Sequence, residues 1–368
     1  MKTALAIACL IVFGGVPALA QLKIYDSRIE PPPHVFSWED AYDYVDIWGS
    51  AKIDINGGFL TYVALWDSST GTITDGNMSA LSANDNASLL ILGADCETIS
   101  ARERGRIDLY GCEQSSFGQV LTTDDGIIRV FGGNYGWVYS VADNDGRVEV
   151  SGGASIKTLS SSSKGMVFQR GAEVERFDAS GAGVSVLDDG EVFNLMSAGE
   201  SSTLVLAGGY PAPDIRLFGD ARLLILHTDD ARPDYISYQV SDFDMPGANA
   251  NCAGKDLTVA LDNGYKNFLV SAWTNTEYLS NNLWRGRMEL VKIGNDLKAF
   301  GLNGEAMLVA FRAPGDKVIQ IECSTNLVTW QPWKSAIPGD WNVHVEGLRT
   351  RNESQLFLRL RKWPKPGS

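Results

Sequence analysis

Three pairs of carboxylates are the first residues in this chain whose types and spacing could do chemistry. Asp124-Asp125, Asp143 with Asp145, and Asp188-Asp189 each stand just ahead of a glycine. Glycoside hydrolysis needs two carboxylates flanking one bond, one of them protonated as the acid. A lyase needs a base beside a calcium-held uronate. The same residues have a simpler use, since Asp before Gly in a tight turn hydrogen-bonds its own backbone, and their position favours that use. Histidine adds little: His34, His227 and His344 fall in three separate regions, which leaves no His-containing triad and no multi-histidine metal site. Asp143, Asn144 and Asp145 offer hard oxygen ligands for calcium, although the nonapeptide spacing of calcium-binding repeats is absent. No other cofactor is expected.

Aromatic residues are the alternative route to a ligand. Trp273, Trp284, Trp330, Trp333, Trp341 and Trp363 crowd the C-terminal third, and exposed indole faces stack on sugar rings. Trp330 reads as sandwich core, whereas Trp333 and Trp341, on either side of Pro338-Gly339, are the candidate ligand-binding pair. Near the other end, Phe36, Trp38, Tyr42, Tyr44 and Trp48 form an aromatic, acidic run that is either a cap or a sugar-binding surface. Among the cysteines, Cys96, Cys112, Cys252 and Cys323 lie outside the leader. Their even number permits two disulfides, with Cys96 and Cys112 the natural first pair. The alternative is four small buried side chains.

Positioning these residues is the task of a repeat. Strand-like pieces ending in glycine recur from residue 52 to 219, as in RIDLYG, IIRVFGG, RVEVSGG and TLVLAGG, mostly at steps of 17 to 21 residues. A second apolar stretch, such as GQVLTT or WVYSVA, lies between successive pieces. One such unit cannot bury its apolar side chains until the next stacks on it, which is the signature of a β-solenoid. About nine or ten coils at roughly 4.8 Å each would make a rod on the order of 45–50 Å long. Alternation within strands predicts inward columns of Ile107 and Leu109, Ile128 and Val130, Val148 and Val150, Val184 and Val186, and Leu204 and Leu206. Glycine is expected to supply positive φ where the strand bends.

The repeat of residues 51–220 resembles the passenger regions of autotransporter adhesins and related right-handed β-helix surface proteins, which carry the same "V-x-V-x-GG" phrasing. The resemblance implies an extracellular scaffold, although the chain after the repeat is too short and irregular for a translocator barrel. Residues 21–50 read as an N-terminal cap, and 221–300 as a β-rich module ending the rod. Within that module LTVALDNGYKNF has the alternation and turn of a hairpin. The module looks like one that follows β-helical repeats in secreted proteins of planctomycete-type bacteria. Residues 301–368 read as a β-sandwich-like module, on Pro314-Gly315, Ser324-Thr325-Asn326-Leu327 with Trp330, and Leu356-Phe357-Leu358-Arg359-Leu360. These residues resemble the C-terminal module of secreted verrucomicrobial proteins, to which no activity is securely attached.

The fold class is thus all-β, a right-handed parallel β-solenoid followed by C-terminal β-rich modules. Residues 1–20 run from Lys2 through an apolar stretch to Ala18-Leu19-Ala20 and read as a cleavable secretory signal. No second long apolar segment follows, so no membrane span is expected. A formal charge of −14 argues against nucleic acid and anionic membranes as partners. Three functions follow as expectations. The first is a secreted, non-catalytic surface or matrix protein contacting an extracellular polysaccharide or a cell-surface component. The second is a polysaccharide lyase or hydrolase on the same scaffold, and the third a spacer displaying the C-terminal module.

Overall fold

Each repeat forms one turn of a coil whose two strands stack on the equivalent strands of its neighbours. The computed structural model describes residues 22–26, 34–113, 118–142, 146–212, 214–217, 220–227, 255–259, 268–272, 287–301, 306–349 and 356–365. Among these there is no helix. They form a parallel β-solenoid of about ten turns and, after it, antiparallel sheets. In the first sheet of the rod Ile107 pairs with Ile128, Ile128 with Val148 and Val148 with Val167. In the second, Val120 pairs with Val138, Val138 with Leu159 and Leu159 with Phe177. All of these side chains are buried in one core that runs from Phe36 to Ile225. Inward side chains of one coil therefore rest on those of the next.

One inward column departs from expectation. Val167 pairs with Ser185, so Ser185 and Leu187 face inward and Val184 and Val186 face out. The buried serine is satisfied, sharing a hydrogen bond of 2.8 Å with the Ser161 hydroxyl and donating to the Asp178 carbonyl at 2.7 Å.

The two corners use glycine differently. At the glycine-pair corner Gly133 has φ +100, and a Cβ there would sit 2.1 Å from the Cys112 carbonyl oxygen. At the polar corner the positive φ falls on acids, namely Asp67, Asp85, Glu103 and Asp124, at 53° to 58°. Gly126 beside them is needed for room: a Cβ would lie 2.3 Å from the Ala101 carbonyl oxygen. The acids also tie coil to coil. Gly49 N–H donates to Asp67 Oδ2 at 3.0 Å, and Asp67 N–H to Asp85 Oδ2 at 3.2 Å.

The rod reaches beyond the repeat read from the sequence. In the segment expected to cap it, His34–Phe36 and Ala41–Trp48 pair in parallel with Lys52–Leu65, and Leu22–Asp26 pairs with 44–48. Downstream, Arg222–His227 and Arg287–Lys292 add further parallel rungs. Lys255–Val259 and Phe268–Ala272 form the expected antiparallel hairpin, whose turn lies outside the described residues.

After the rod come two three-stranded antiparallel sheets. Lys298–Gly301, Ala306–Arg312 and Val343–Arg349 make one, and Lys317–Ser324, Gln331–Pro338 and Phe357–Pro364 the other. Val309 and Phe311 face the second of these sheets, packing with Ile319, Ile321 and Ile337. Leu308 and Ala310, on the opposite side of the same strand, pack with Val343 and Val345 onto the rod. They meet Met166, Phe168, Val184, Val186, Val205, Leu224 and Leu226, all outward positions of the rod's first sheet. In earlier coils those positions are polar, as in Arg106-Ile107-Asp108-Leu109. From Met166 onward both faces are apolar because the C-terminal module covers the outer one.

Candidate functional site

The carboxylate pairs do not converge on a bond. Asp124 is a corner residue with φ +53 that accepts from the Thr123 hydroxyl at 3.2 Å, and Asp189 accepts from Gly190 N–H at 2.7 Å. Asp124 is thus a turn residue, as its position before glycine implied, whereas Asp189 lies within the strand Val184–Ala198, where the register against Arg170 shifts. Asp188 lies elsewhere, at the junction with the C-terminal module, with Arg170 Nε 3.3 Å away. Burial pushes its carboxyl up to about 6 despite the attraction of Arg170 and His344. Asp143, Asn144 and Asp145, the calcium candidates, fall outside the described residues. No group of three or more metal-ligating side chains occurs among the described residues. His344 Nε2 is 2.9 Å from Asp340 Oδ1, and its ring stacks on Phe311.

The tryptophans of the sandwich are distributed differently from the sequence reading. Trp333, a candidate for exposure, packs against the sandwich core beside Ile319 and Ile321. Trp330, read as core, is half-buried at the surface under the Arg359 guanidinium, 4.1 Å from the ring centroid. Strand periodicity explains the exchange: Trp333 lies in Gln331–Pro338 while Trp330 precedes it, on the turn that Ser324 and Asn326 organise. Trp341 is 53% exposed and lies over Gly315, with Arg312 5.3 Å from its ring. The two candidates therefore do not share a surface.

Cys96, Cys112 and Cys323 are free thiols, and Cys252 lies outside the described residues. Asp95 pairs with Glu113, which sets Cys112 opposite residue 94 rather than 96. Two residues along a strand and one coil across put the Cα atoms about 8 Å apart, beyond the ~7 Å reach of a disulfide. Both thiols are buried in the core, and burial pushes Cys112 up to about 11. They act as small apolar side chains.

A surface that the sequence reading only touched runs along the outside of the rod's second sheet. One column stacks Tyr44, Tyr62, Ala80, Thr98, Gln119 and Trp137 in successive coils. Tyr44 is 51% and Trp137 43% exposed. Tyr44 and Tyr62 have ring centroids 5.9 Å apart. Beside them Phe59, 60% exposed, meets Trp38 edge to face at 6.2 Å. Trp48 stacks on Trp66 at 4.9 Å, and Trp66 Nε1 donates to Asp46 Oδ1 at 3.3 Å. Of the aromatic run read as either cap or sugar surface, Phe36 enters the core, and Trp38 and Tyr44 face solvent. From Tyr62 to Trp137 is four coils, about 19 Å. Between the rings Ala80 and Thr98 are small, and Gln119 accepts from the Tyr139 hydroxyl at 2.6 Å, which leaves a lane. Past Trp137 the same sheet carries a shallow groove of about 380 Å³, lined by Asn134, Gly136, Ser155, Lys157, Glu175 and Phe193.

The densest electrostatics lie on the other sheet and serve the junction. Glu346 accepts from Lys334 Nζ at 2.6 Å, Arg170 Nη2 at 3.0 Å and Arg147 Nη2 at 3.1 Å. Burial pushes its carboxyl up, but Arg170, Arg147 and Lys334 outweigh that and hold it at about 2. Arg147 also pairs with Glu149 and lies 4.2 Å over the Phe168 ring. This cluster is closed over by the module it docks.

Comparison with protein-family models, curated proteins and solved structures returns no match.

Proposed function

We propose that the protein is an exported, non-catalytic binding scaffold whose second sheet contacts a polysaccharide through its exposed rings. The observation that carries this reading is the lane from Tyr44 and Tyr62 to Trp137, flanked by Phe59 and Trp38, on a rigid sheet that the C-terminal module leaves open. Aromatic faces on a fixed backbone give a sugar ring stacking area at little entropic cost. The C-terminal module occupies the first sheet, so the two sheets have different work. The leader-like residues 1–20 and the resemblance to autotransporter passengers and to modules of secreted bacterial proteins support an extracellular setting. A lyase or hydrolase would need two carboxylates on an open groove, and the groove past Trp137 carries the single acid Glu175.

The test is a binding and cleavage screen of the full chain against neutral, acidic and amino polysaccharides. Retention is expected without new chain ends, weakened by Tyr44→Ala and by Trp137→Ala but not by Trp341→Ala. Release of reducing or unsaturated ends, or retention indifferent to both lane variants, would overturn the reading.

A further inference from the structure

The lane has a charge as well as a shape. The strands that form it are Ala41–Trp48, 59–65, 77–83, Asp95–Ala101, Gln119–Thr122 and Gly133–Ala142. They contain Asp43, Asp46, Asp95 and Glu97 and no lysine or arginine. On the rod's first sheet acids are neutralised in place: Asp108 accepts from Arg129 Nε at 2.6 Å, and Glu149 pairs with Arg147. On the lane no lysine or arginine pairs with Asp43, Asp95 or Glu97 among the described residues. Asp95 and Glu97 are exposed, and Asp43 is half-exposed, accepting only from the Thr61 hydroxyl at 3.5 Å. A uronate or sulfated chain would be repelled at the Asp43 coil and again at the coil of Asp95 and Glu97. A neutral glycan would use the rings and leave the acids idle.

We infer, building on the function proposed above, that the ligand is an amino-sugar polysaccharide whose free amines are protonated. An ammonium held over the face of Tyr or Trp is attracted by the ring quadrupole, and Asp43 on the first strand of the lane, with Asp95 and Glu97 three coils on, places the opposite charge at two points beside the rings. Thr98 and Gln119, between the rings, supply donors and acceptors for sugar hydroxyls. Phe59, Asn77 and Asp95 form an adjacent column in the same register, so ring, amide and acid succeed one another at coil spacing. That order suits a polymer that repeats ring and charge.

The experiment measures binding of the full chain to glucosamine oligomers at mildly acidic pH. N-acetylglucosamine oligomers, a uronate oligomer and polylysine are the comparisons. Glucosamine oligomers are expected to bind best, with an affinity that falls as salt rises. Tyr44→Ala and Trp137→Ala should each weaken them roughly two- to fivefold. Asp43→Asn with Glu97→Gln should weaken them and flatten the salt dependence, while both side chains sit outside the core and leave the thermal midpoint in place. Equal binding of acetylated and free oligomers, untouched by the acid variants, would overturn this inference and leave the glycan-binding reading standing. No binding of any oligomer would remove both. Polylysine binding as tightly, with the same dependence on Tyr44 and Trp137, would also overturn it, by showing that any polycation suffices.

Discussion

Gly126 and Asp124 stand two residues apart in one corner and are fixed by different constraints. Asp124 carries the positive φ, whereas Gly126 is held to a bare Cα by the Ala101 carbonyl oxygen of the previous coil, 2.3 Å from where a Cβ would be. Asp tolerates the left-handed region better than most residues, and glycine tolerates it better still. Gly126→Ala must instead push two stacked coils apart. That variant should lose about 1–3 kcal/mol, and Asp124→Gly should stay near the parent, compared by chemical denaturation. Similar midpoints for the two would show that close coil stacking does not select the glycine. The sequence displayed Asp-Gly as a turn, which it is, but not which of the two residues takes the unusual backbone. That depends on the neighbouring coil, some twenty residues away. Trp330 and Trp333 show the same limit: both sit in an aromatic stretch, and only the point where the strand begins decides which ring enters the core.

Among the strands, a change of pattern marks where the C-terminal module docks. Arg106-Ile107-Asp108-Leu109 and Arg147-Val148-Glu149-Val150 alternate, while Val184-Ser185-Val186-Leu187 and Leu223-Leu224-Ile225-Leu226 do not. Loss of alternation accompanies burial on both faces, a signal the sequence carries but that was not read from it. The inward column there was not legible, because Val184 and Val186 at alternate positions fit either face. Register with Val167 settles it. Period, two strands per coil and the hairpin were legible, because each is local. The start and end of the rod were not, because Ala41–Trp48 and Arg287–Lys292 carry no glycine phrase and are rungs only through their partners. Phe168 is the centre of the docking face, fully buried and under both Arg147 and Arg170. Phe168→Ala should destabilise by about 3–5 kcal/mol and open residues 293–297, between the last rod strand and the sandwich, to protease. Ile127, two rungs earlier in a neighbouring outward column and only half-buried, is the control. If Ile127→Ala and Phe168→Ala lose equal stability, the module is not docked on this face.

At the scale of the molecule, the rod and its C-terminal module are joined through partly buried charges centred on the buried Glu346, and these set how stability responds to pH. Arg147, Arg170 and Lys334 face Glu149, Glu346 and Asp188, with His344 alongside. Glu346 has a folded value of about 2, below its ordinary range, so its contribution is present above that range and is lost as pH falls toward 2. Asp188 runs the other way. Its folded value of about 6 lies above the ordinary range, so its contribution is present at low pH and is lost as pH rises through 6. Stability should therefore climb by about 1–3 kcal/mol from neutral pH into the mildly acidic range, then fall again as Glu346 protonates. Asp188→Asn should remove the climb and raise the denaturation midpoint at neutral pH, since the amide needs no charge to be desolvated. Glu346→Gln should lower the midpoint at neutral pH by about 3–5 kcal/mol, because three cations lose their shared partner, and should flatten the acid limb. A midpoint that only falls on acidification from neutrality, with Asp188→Asn following the parent, would mean that Asp188 is ionised and solvated and that the junction opens in solution.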